Sequence, residues 1–322
     1  MNNNSPLEFL ARKYGNVIKY DNAGNIIGIF VRFHKRKSSE LVDGLPDHIH
    51  PAFIINGVVQ ESILLGKYKV GETGESGGKL VSMPNIMPGY SFNSNEMLSR
   101  IRAAGTSISG MTCADYGFIK LLAQKEGWNP KGNTDWESSH KDGIRWKVGE
   151  YVQGGTERIR KGYLYKCLIT HTTTTELRPE IAPKYWKKKM FVSGASMDTN
   201  GHRTLNGTGP LDWYLGSNPG NLCDVIGSLH EFQYGCRIVD CELQIMENNN
   251  AADPSADLSA ESPNWKAILP NKNDDGYTLV APGTTGTLHW NWDGNKIQLD
   301  TQCDLFDATY KNSHMFLRLQ KN

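Results

Sequence analysis

The alternation of apolar and polar positions predicts a chain built mainly from short strands, with a few short helices. Apolar residues recur with helical spacing in three segments, residues 6–14, 94–104 and 113–123. Residues suited to capping stand before two of these segments, namely Asn93 and Thr112. Asp115 lies three residues after Thr112 and completes a capping box with it. We therefore predict a helix at each of the three positions.

The predicted strands are short and are separated by Gly, Asn and Pro. Two apolar runs on either side of residues 21–25 predict an N-terminal hairpin, which we expect to be peripheral and to serve in attachment. Residues 255–287 are rich in Pro, Asp, Asn and Gly and are expected to be irregular. Further strands are expected at residues 50–57, 63–68, 242–246, 287–292 and 315–319.

Composition narrows the class of protein. The chain has a mean hydropathy of −0.50, contains no run of about 18 apolar residues, and does not begin with a secretory signal pattern, so we expect no membrane insertion. Its formal net charge of +1 gives no overall reason to expect a nucleic-acid partner. The 33 glycines, 8 tryptophans and 13 tyrosines suit a loop-rich domain that binds a ligand.

Sequence motifs for catalysis and metal binding are missing. The six cysteines lack Cys-x-x-Cys spacing and are expected to be free thiols. No nucleophile-elbow, zinc-protease or phosphate-loop motif occurs, so we predict no catalytic residues and no metal site. His50 is expected to pack at a strand entry, the alternative being a metal pair with His48. Asp253, Asp257 and residues 274–275 are expected to be solvated turns, so we predict no cofactor, with a calcium site as the alternative.

Residues 223–237 carry the most distinctive local pattern: a loop, a Gly-Ser turn, and a strand that begins with alternating polar and aromatic residues. This segment resembles part of the C-type-lectin-like fold, which formylglycine-generating enzymes share with the variable, ligand-displaying proteins of bacteriophages and retroelements. Residues 50–68 and 112–123 resemble the entry strands and the second helix of the same fold. The resemblance implies an α+β core in which two helices pack on small twisted sheets joined by many loops.

The resemblance by itself leaves both an oxidase and a binding protein open. A formylglycine-generating enzyme needs a close pair of reactive cysteines near its C-terminus, where the two thiolates bind copper. Here Cys303 is the only cysteine that follows Cys241. We therefore predict that the chain is not an enzyme.

Residues 144–188 interrupt the lectin-like pattern. Their aromatic residues are spaced by glycines and closed by a Pro-x-x-Trp sequence, which is similar to the small chitin-binding-type carbohydrate-binding modules. The similarity implies an inserted three-stranded β module. The domain organisation we expect is an N-terminal attachment hairpin, the first half of a lectin-like core, the inserted module, and the second half of the core, at residues 1–45, 46–143, 144–190 and 191–322.

Tyr and Trp rings stack on the apolar faces of sugars, while neighbouring polar side chains bind the hydroxyl groups. The module supplies four candidate ligand-binding residues, namely Trp186, Tyr163, Tyr151 and His171. Of these, Trp186 and Tyr163 are expected to be exposed platforms. Trp146 and Tyr165 are expected to fill the core of the module, because a unit this small has few other apolar residues.

The second half of the core supplies three further candidates. Trp290 and Trp292 share one face of a predicted strand, and Asp293 follows them. That face is expected to serve in core packing, with a subunit contact or a ligand surface as the alternatives.

Together these features predict a bacteriophage virion protein that is made in the host cytoplasm. We expect a non-catalytic, tail- or fibre-associated adhesin that recognises a host-surface glycan or protein and contacts other tail or virion proteins. By resemblance we expect a homo-oligomer. The alternative is a structural virion protein with no ligand of its own.

Overall fold

The computed structural model describes residues 6–72, 79–89, 93–105, 107–128, 144–161, 163–191, 205–209, 211–226, 231–271, 277–293 and 296–299. These residues form a mixed α+β structure with small, mostly antiparallel sheets. The helices in this part of the chain are α1 (Pro6–Lys13), α2 (Ser94–Arg102) and α3 (Cys113–Lys125). None of them is long and apolar enough to cross a membrane.

The strands are short, as predicted. In chain order they are β1 (Val17–Tyr20), β2 (Ile26–His34), β3 (Ile54–Ile55), β4 (Val58–Val59), β5 (Ser62–Gly66), β6 (Gly71–Glu72), β7 (Leu80–Val81), β8 (Ile144–Arg145), β9 (Tyr151–Val152), β10 (Glu157–Arg160), β11 (Tyr163–Cys167), β12 (His171–Thr172), β13 (Trp186–Phe191), β14 (Cys236–Val239), β15 (Glu242–Met246), β16 (Trp265–Pro270), β17 (Tyr277–Val280), β18 (Trp290–Asp293) and β19 (Lys296–Leu299).

Both capped helices begin where the sequence predicts. The Asn93 side chain accepts a hydrogen bond from the backbone N–H of Glu96 at the start of α2. At the start of α3, Thr112 and Asp115 form a complete capping box, in which Asp115 Oδ2 accepts from the Thr112 backbone N–H at 2.9 Å. These bonds satisfy N–H groups that have no partner within the helix, which is why the local sequence alone sets the start of each helix.

The N-terminal hairpin forms as predicted, but it is not peripheral. β2 is the central strand of a sheet in the order β1-β2-β5, and its residues Ile27, Ile29 and Val31 are buried. Val31 joins a core cluster with Phe53 of the 50–57 segment and Phe118 of α3. Because β2 pairs with β5, the predicted division at residue 45 separates two strands of one sheet.

A second sheet has the order β14-β15-β16-β17, and its residues Leu243 and Ile268 form a buried cluster with Leu288. β15 confirms the strand predicted at residues 242–246. The prediction that residues 255–287 are irregular is wrong, because β16 and β17 lie within them. The strand predicted at residues 315–319 lies outside the described residues.

The segment at 223–237 joins elements that are distant in sequence. Cys223 N–H donates to Lys67 O at 2.7 Å, and the buried carboxylate of Asp224 accepts from Gly207 N–H at 3.0 Å. Tyr234 exchanges backbone hydrogen bonds with Met111 and Cys113, at the start of α3. The predicted Gly-Ser turn at residues 227–228 lies outside the described residues.

The five described cysteines are free thiols, as expected: Cys113, Cys167, Cys223, Cys236 and Cys241. The thiols of Cys167 and Cys223 are buried, and burial raises the pKa of both. A raised pKa keeps a thiol protonated at neutral pH and therefore unreactive. Cys303 lies outside the described residues.

Candidate functional site

The segment that resembles a carbohydrate-binding module folds around its own core. Its main sheet has the order β13-β11-β10-β8, in which β8 runs parallel to β10 and the other neighbours are antiparallel. A separate two-stranded ribbon pairs β9 with β12. The module is therefore larger than the three-stranded unit that was predicted, although three antiparallel strands do form its centre.

Trp186 belongs to the core of this module and not to its surface. Its side chain is 2% exposed, and its indole N–H donates to Leu177 O at 2.9 Å. The prediction that Trp186 is an exposed platform is therefore wrong. The predicted burial of Trp146 and Tyr165 is confirmed, and both join Trp186 in one cluster. Large aromatic rings fill this core because the segment has few aliphatic residues to do so.

Tyr163 is half-buried, and one face of its ring is occupied. The Lys188 ammonium lies 3.3 Å from the centroid of the Tyr163 ring. An ammonium in this position makes a cation–π contact with the ring. Tyr163 is thus less accessible than predicted, and a sugar that stacked on this face would have to displace Lys188.

His171 packs against other aromatic rings of the module. Its ring makes edge contacts with Tyr185 and Trp186, at centroid distances of 4.9 Å and 5.3 Å. Its Nδ1 lies 2.6 Å from Ile169 O. A carbonyl oxygen can only accept a hydrogen bond, so Nδ1 carries the proton and donates it. This arrangement fixes the turn that leads into β12.

Among the described aromatic side chains of the module, Tyr151 is the exposed one, with 64% of its surface exposed. It lies directly opposite Thr172 in the ribbon of β9 and β12. Gln153 directly follows β9 and Thr170 directly precedes β12, and both are also exposed. We call these four residues, Tyr151, Gln153, Thr170 and Thr172, the Tyr151 face.

The opposite side of the ribbon is anchored in the module. Val152 and Thr173 are each 1% exposed, and the hydroxyl of Thr173 accepts from the backbone N–H of Glu150 at 2.9 Å. The Tyr151 ring therefore stands on a rigid support. The sequence analysis named Tyr151 but missed the three polar residues around it. The only signal in the sequence was the apolar Val152 between Tyr151 and Gln153, because Thr173 lies in a run of four threonines that does not indicate which one is buried.

Ion pairs brace the loops around the main sheet. Arg158 binds both carboxylate oxygens of Glu150, at 3.0 Å and 2.7 Å. Arg160 binds Glu180 at 2.9 Å and lies over the Trp146 ring, 4.7 Å from its centroid. Burial opposes the charge of Glu180, but its hydrogen bonds and the Arg160 charge outweigh that effect and lower its pKa. These contacts hold the module in one shape.

The other three predicted ligand residues, Trp290, Trp292 and Asp293, form β18, which pairs with β19. Trp290 and Trp292 are two residues apart on this strand, as predicted. The side chains of Trp290, Trp292 and Asp293 lie outside the described part of the structure. Whether they pack, bind a ligand or contact a subunit stays a prediction.

A cavity of about 460 Å³ lies in the rest of the fold, away from the predicted ligand residues. Residues of β2, β5, α2 and α3 line it, together with a Lys69–Glu231 ion pair of 2.5 Å. Because Glu231 neutralises the Lys69 ammonium, the cavity offers mainly apolar surface to a ligand. The sequence analysis did not identify this cavity, since its lining comes from segments that are distant along the chain.

The carboxylates considered for calcium have other partners. Asp253 accepts hydrogen bonds from Ser255 and Asn56, and Asp257 accepts from the backbone N–H of Ser259. Within the described ranges, no group of three or more His, Cys, Asp or Glu residues is placed to hold a metal ion. Residues 274–275 lie outside those ranges.

His50 packs as predicted. It is buried, and its ring lies at the edge of the Phe118 ring with a centroid distance of 5.6 Å. Its Nδ1 accepts a hydrogen bond from the Ala52 backbone N–H at 3.2 Å, which caps the short 3₁₀ helix at residues 51–53.

No protein-family model and no curated protein matches the chain.

Proposed function

We propose that this chain is a non-catalytic bacteriophage adhesin, associated with the tail or fibre, that attaches to a host-surface glycan through the Tyr151 face. In this proposal a C-type-lectin-like core carries the glycan-binding module. The chain assembles in the host cytoplasm and functions in the virion beside other tail proteins.

The Tyr151 face is the observation that carries the proposal. A tyrosine ring offers a flat apolar surface for the C–H groups of a sugar. Thr172 is directly opposite Tyr151, and Gln153 and Thr170 are the next residues along the chain from the two strands. Their amide and hydroxyl groups suit the hydroxyl groups at the sugar's edge. Because the ring is exposed in the free protein, a glycan binds without unfolding the module.

The contacts at the start of α3 support the proposed core. Two of the three segments that carry the lectin-like resemblance are residues 112–123 and 223–237. The backbone hydrogen bonds between Met111, Cys113 and Tyr234 bring these segments together. Such contacts are what a shared fold would require of the two motifs.

Replacing Tyr151 by alanine is expected to weaken glycan binding about tenfold, or roughly 1.4 kcal/mol, because the stacking surface is lost. Tyr151→Phe keeps the ring and is expected to retain most of the affinity. Binding of the full chain to a glycan array, followed by titration of the best ligand, measures both effects. Tyr20→Ala removes an exposed tyrosine outside the module and serves as the control. Unchanged array binding by Tyr151→Ala would contradict the proposal.

An exposed hairpin favours the second candidate function, that of a structural virion protein. Val58 and Val59 in β4 are 61% and 45% exposed, at the end of a turn made by Asn56 and Gly57. Neighbouring exposed valines are suited to a contact between protein subunits.

If this hairpin joins copies of the chain, the double substitution Val58→Asp and Val59→Asp is expected to convert an oligomer into a monomer. Burying the aspartate charges at a subunit contact costs more free energy than burying the two valines gains. Sedimentation equilibrium measures the mass. Val239→Asp, which changes an exposed valine in β14, is the control. A double variant with the mass of the original chain would rule out this contact.

A further inference from the structure

The module that carries the Tyr151 face is strongly basic, whereas the rest of the chain is acidic. Residues 144–191 contain eleven Lys and Arg residues and four Glu residues, a formal charge of +7. The whole chain has a formal charge of +1, so the remaining residues carry −6. A charge separation of this size draws a polyanion toward the module and repels it from the rest of the surface.

Three of the four glutamates of the module already pair with basic residues within it. Glu150 pairs with Arg158 and Glu180 pairs with Arg160, as described above. Glu157 Oε1 lies 2.6 Å from Lys189 Nζ. These pairs occupy both arginines of β10, but most lysines of the main sheet have no ion pair with a described residue of the module.

Two of these lysines face each other. Lys166 of β11 and Lys187 of β13 are directly opposite in the strand register. Their Cβ atoms are therefore only about 5 Å apart, and like charges in that position destabilise a sheet. Both side chains are exposed, and neither has a carboxylate within ion-pair distance among the described residues. Glu157 faces Lys166 from β10 but pairs with Lys189 instead.

The pair lies on the outer side of the sheet. Cys167 and Trp186, the neighbours of Lys166 and Lys187 along their strands, point into the module core. The ammonium groups of Lys166 and Lys187 therefore point away from that core. We call these two residues, with Lys189, the lysine face.

We propose that the lysine face binds an acidic polysaccharide of the host surface whose sugar rings carry carboxylates, a polymer rich in uronic acid. This inference rests on the proposed function and specifies its ligand class. Carboxylates spaced along such a polymer supply the counter-charge that Lys166 and Lys187 lack.

The chemistry of the face favours a carboxylated polysaccharide over a nucleic acid. Guanidinium groups give phosphate its preferred two-point contact, and Arg158 and Arg160 are both held by glutamates. Single-stranded nucleic acid also needs aromatic rings between the cations for base stacking. Tyr163, Tyr165 and Trp186 alternate with the lysines along their strands and so lie on the other side of the sheet.

The test uses the full chain and polygalacturonate as the probe, with the methyl-esterified form of the same polymer as the neutral counterpart. The double substitution Lys166→Gln and Lys187→Gln is expected to weaken binding of polygalacturonate about tenfold, and binding by the original chain is expected to fall as salt is added. Lys13→Gln with Lys19→Gln makes the same change in net charge on exposed residues outside the module and is expected to leave binding unchanged. Melting temperature confirms that each variant is folded.

The other outcomes are equally decisive. A chain that binds neutral glycans through Tyr151 but not polygalacturonate overturns this inference and leaves the proposed function standing. If the chain binds no glycan at all, both this inference and the proposed function are overturned. Equal losses in the two double variants mean that net charge alone is responsible, and duplex DNA bound as tightly as polygalacturonate means a non-specific polyanion surface. Either result contradicts the proposal.

Discussion

Replacing Trp186 by alanine is expected to unfold the module, not merely to remove a ligand contact. The indole is 2% exposed. Trp186 is directly opposite Cys167 of β11, and its ring contacts the His171 ring. Removing a buried tryptophan costs about 3–5 kcal/mol, because the cavity it leaves is only partly refilled. The loss is concentrated in the module, since the clustered core around Trp186 is made of module residues.

Hydrogen exchange of the full chain measures this effect directly. The Cys167 N–H bonds to Thr156 O at 2.8 Å inside the module, and its protection is expected to fall with the substitution. Protection at the Ile29 N–H, which bonds to Ser82 O in the N-terminal part, is expected to stay unchanged. Tyr151→Ala is the matched control, because truncation of an exposed ring changes stability by about 0.5 kcal/mol or less. If Trp186→Ala keeps full protection yet abolishes glycan binding, Trp186 is a ligand residue after all.

Two variants near the start of α3 are expected to change the pH dependence of stability in opposite directions. Burial lowers the pKa of His50 from 6.5 to about 4, and the positive charge of His48 adds to the effect. Burial raises the pKa of Asp115 from 3.8 to about 6, although hydrogen bonds from Thr112 oppose the rise. Neutral forms of both side chains are thus the ones that fit the fold.

The signs follow from proton binding. For His50 the unfolded chain binds the proton more tightly, so the stability this residue contributes is present above pH 6.5 and is lost as the pH falls through 4. For Asp115 the folded chain binds the proton more tightly, so its contribution is present below pH 3.8 and is lost as the pH rises through 6. Each pKa shift corresponds to about 3 kcal/mol of folding free energy. The two contributions change with pH in opposite directions, so their pH dependences nearly offset each other in the original chain.

Urea unfolding of the original chain and the two variants, at several pH values from 4 to 7, separates these effects. The free-energy advantage of the original chain over His50→Asn is expected to shrink as the pH falls, and its advantage over Asp115→Asn is expected to grow. Both asparagine variants keep a hydrogen-bond acceptor, so the capping bonds persist. His34→Asn, at the exposed end of β2, is the control. If the free energy of unfolding changes with pH in the same way for all four proteins, burial shifts the pKa of neither His50 nor Asp115.

The elements that the sequence predicts well are those with local causes. The capping box of Thr112 and Asp115 and the cap at Asn93 involve residues three apart, so their bonds do not depend on distant parts of the chain. The hairpin of β1 and β2 forms for a similar reason. Asp21 in the turn accepts hydrogen bonds from the backbone N–H groups of Ala23 and Asn25.

The predictions are wrong where a strand forms, or is buried, through pairing with a segment that is distant in the sequence. β16 was missed because Pro263 precedes it and Pro270 is its last residue, yet the strand forms by pairing with β15 on one side and β17 on the other. Likewise the hairpin of β1 and β2 was taken to be peripheral, because nothing within it shows that β5 covers its free edge. Strand pairing is a long-range choice, and local composition predicts it poorly.

The sequence by itself determined the mixed α+β class, the helix starts and the aromatic composition of the module. Only the tertiary structure decided which ring faces the solvent. A tryptophan has more apolar surface than a tyrosine, so burying the larger ring contributes more to the stability of so small a core. Trp186 therefore fills the module, and Tyr151, at the edge of its ribbon, is left exposed. The lysine pair came together in the same way, since Lys166 and Lys187 meet only when β11 pairs with β13.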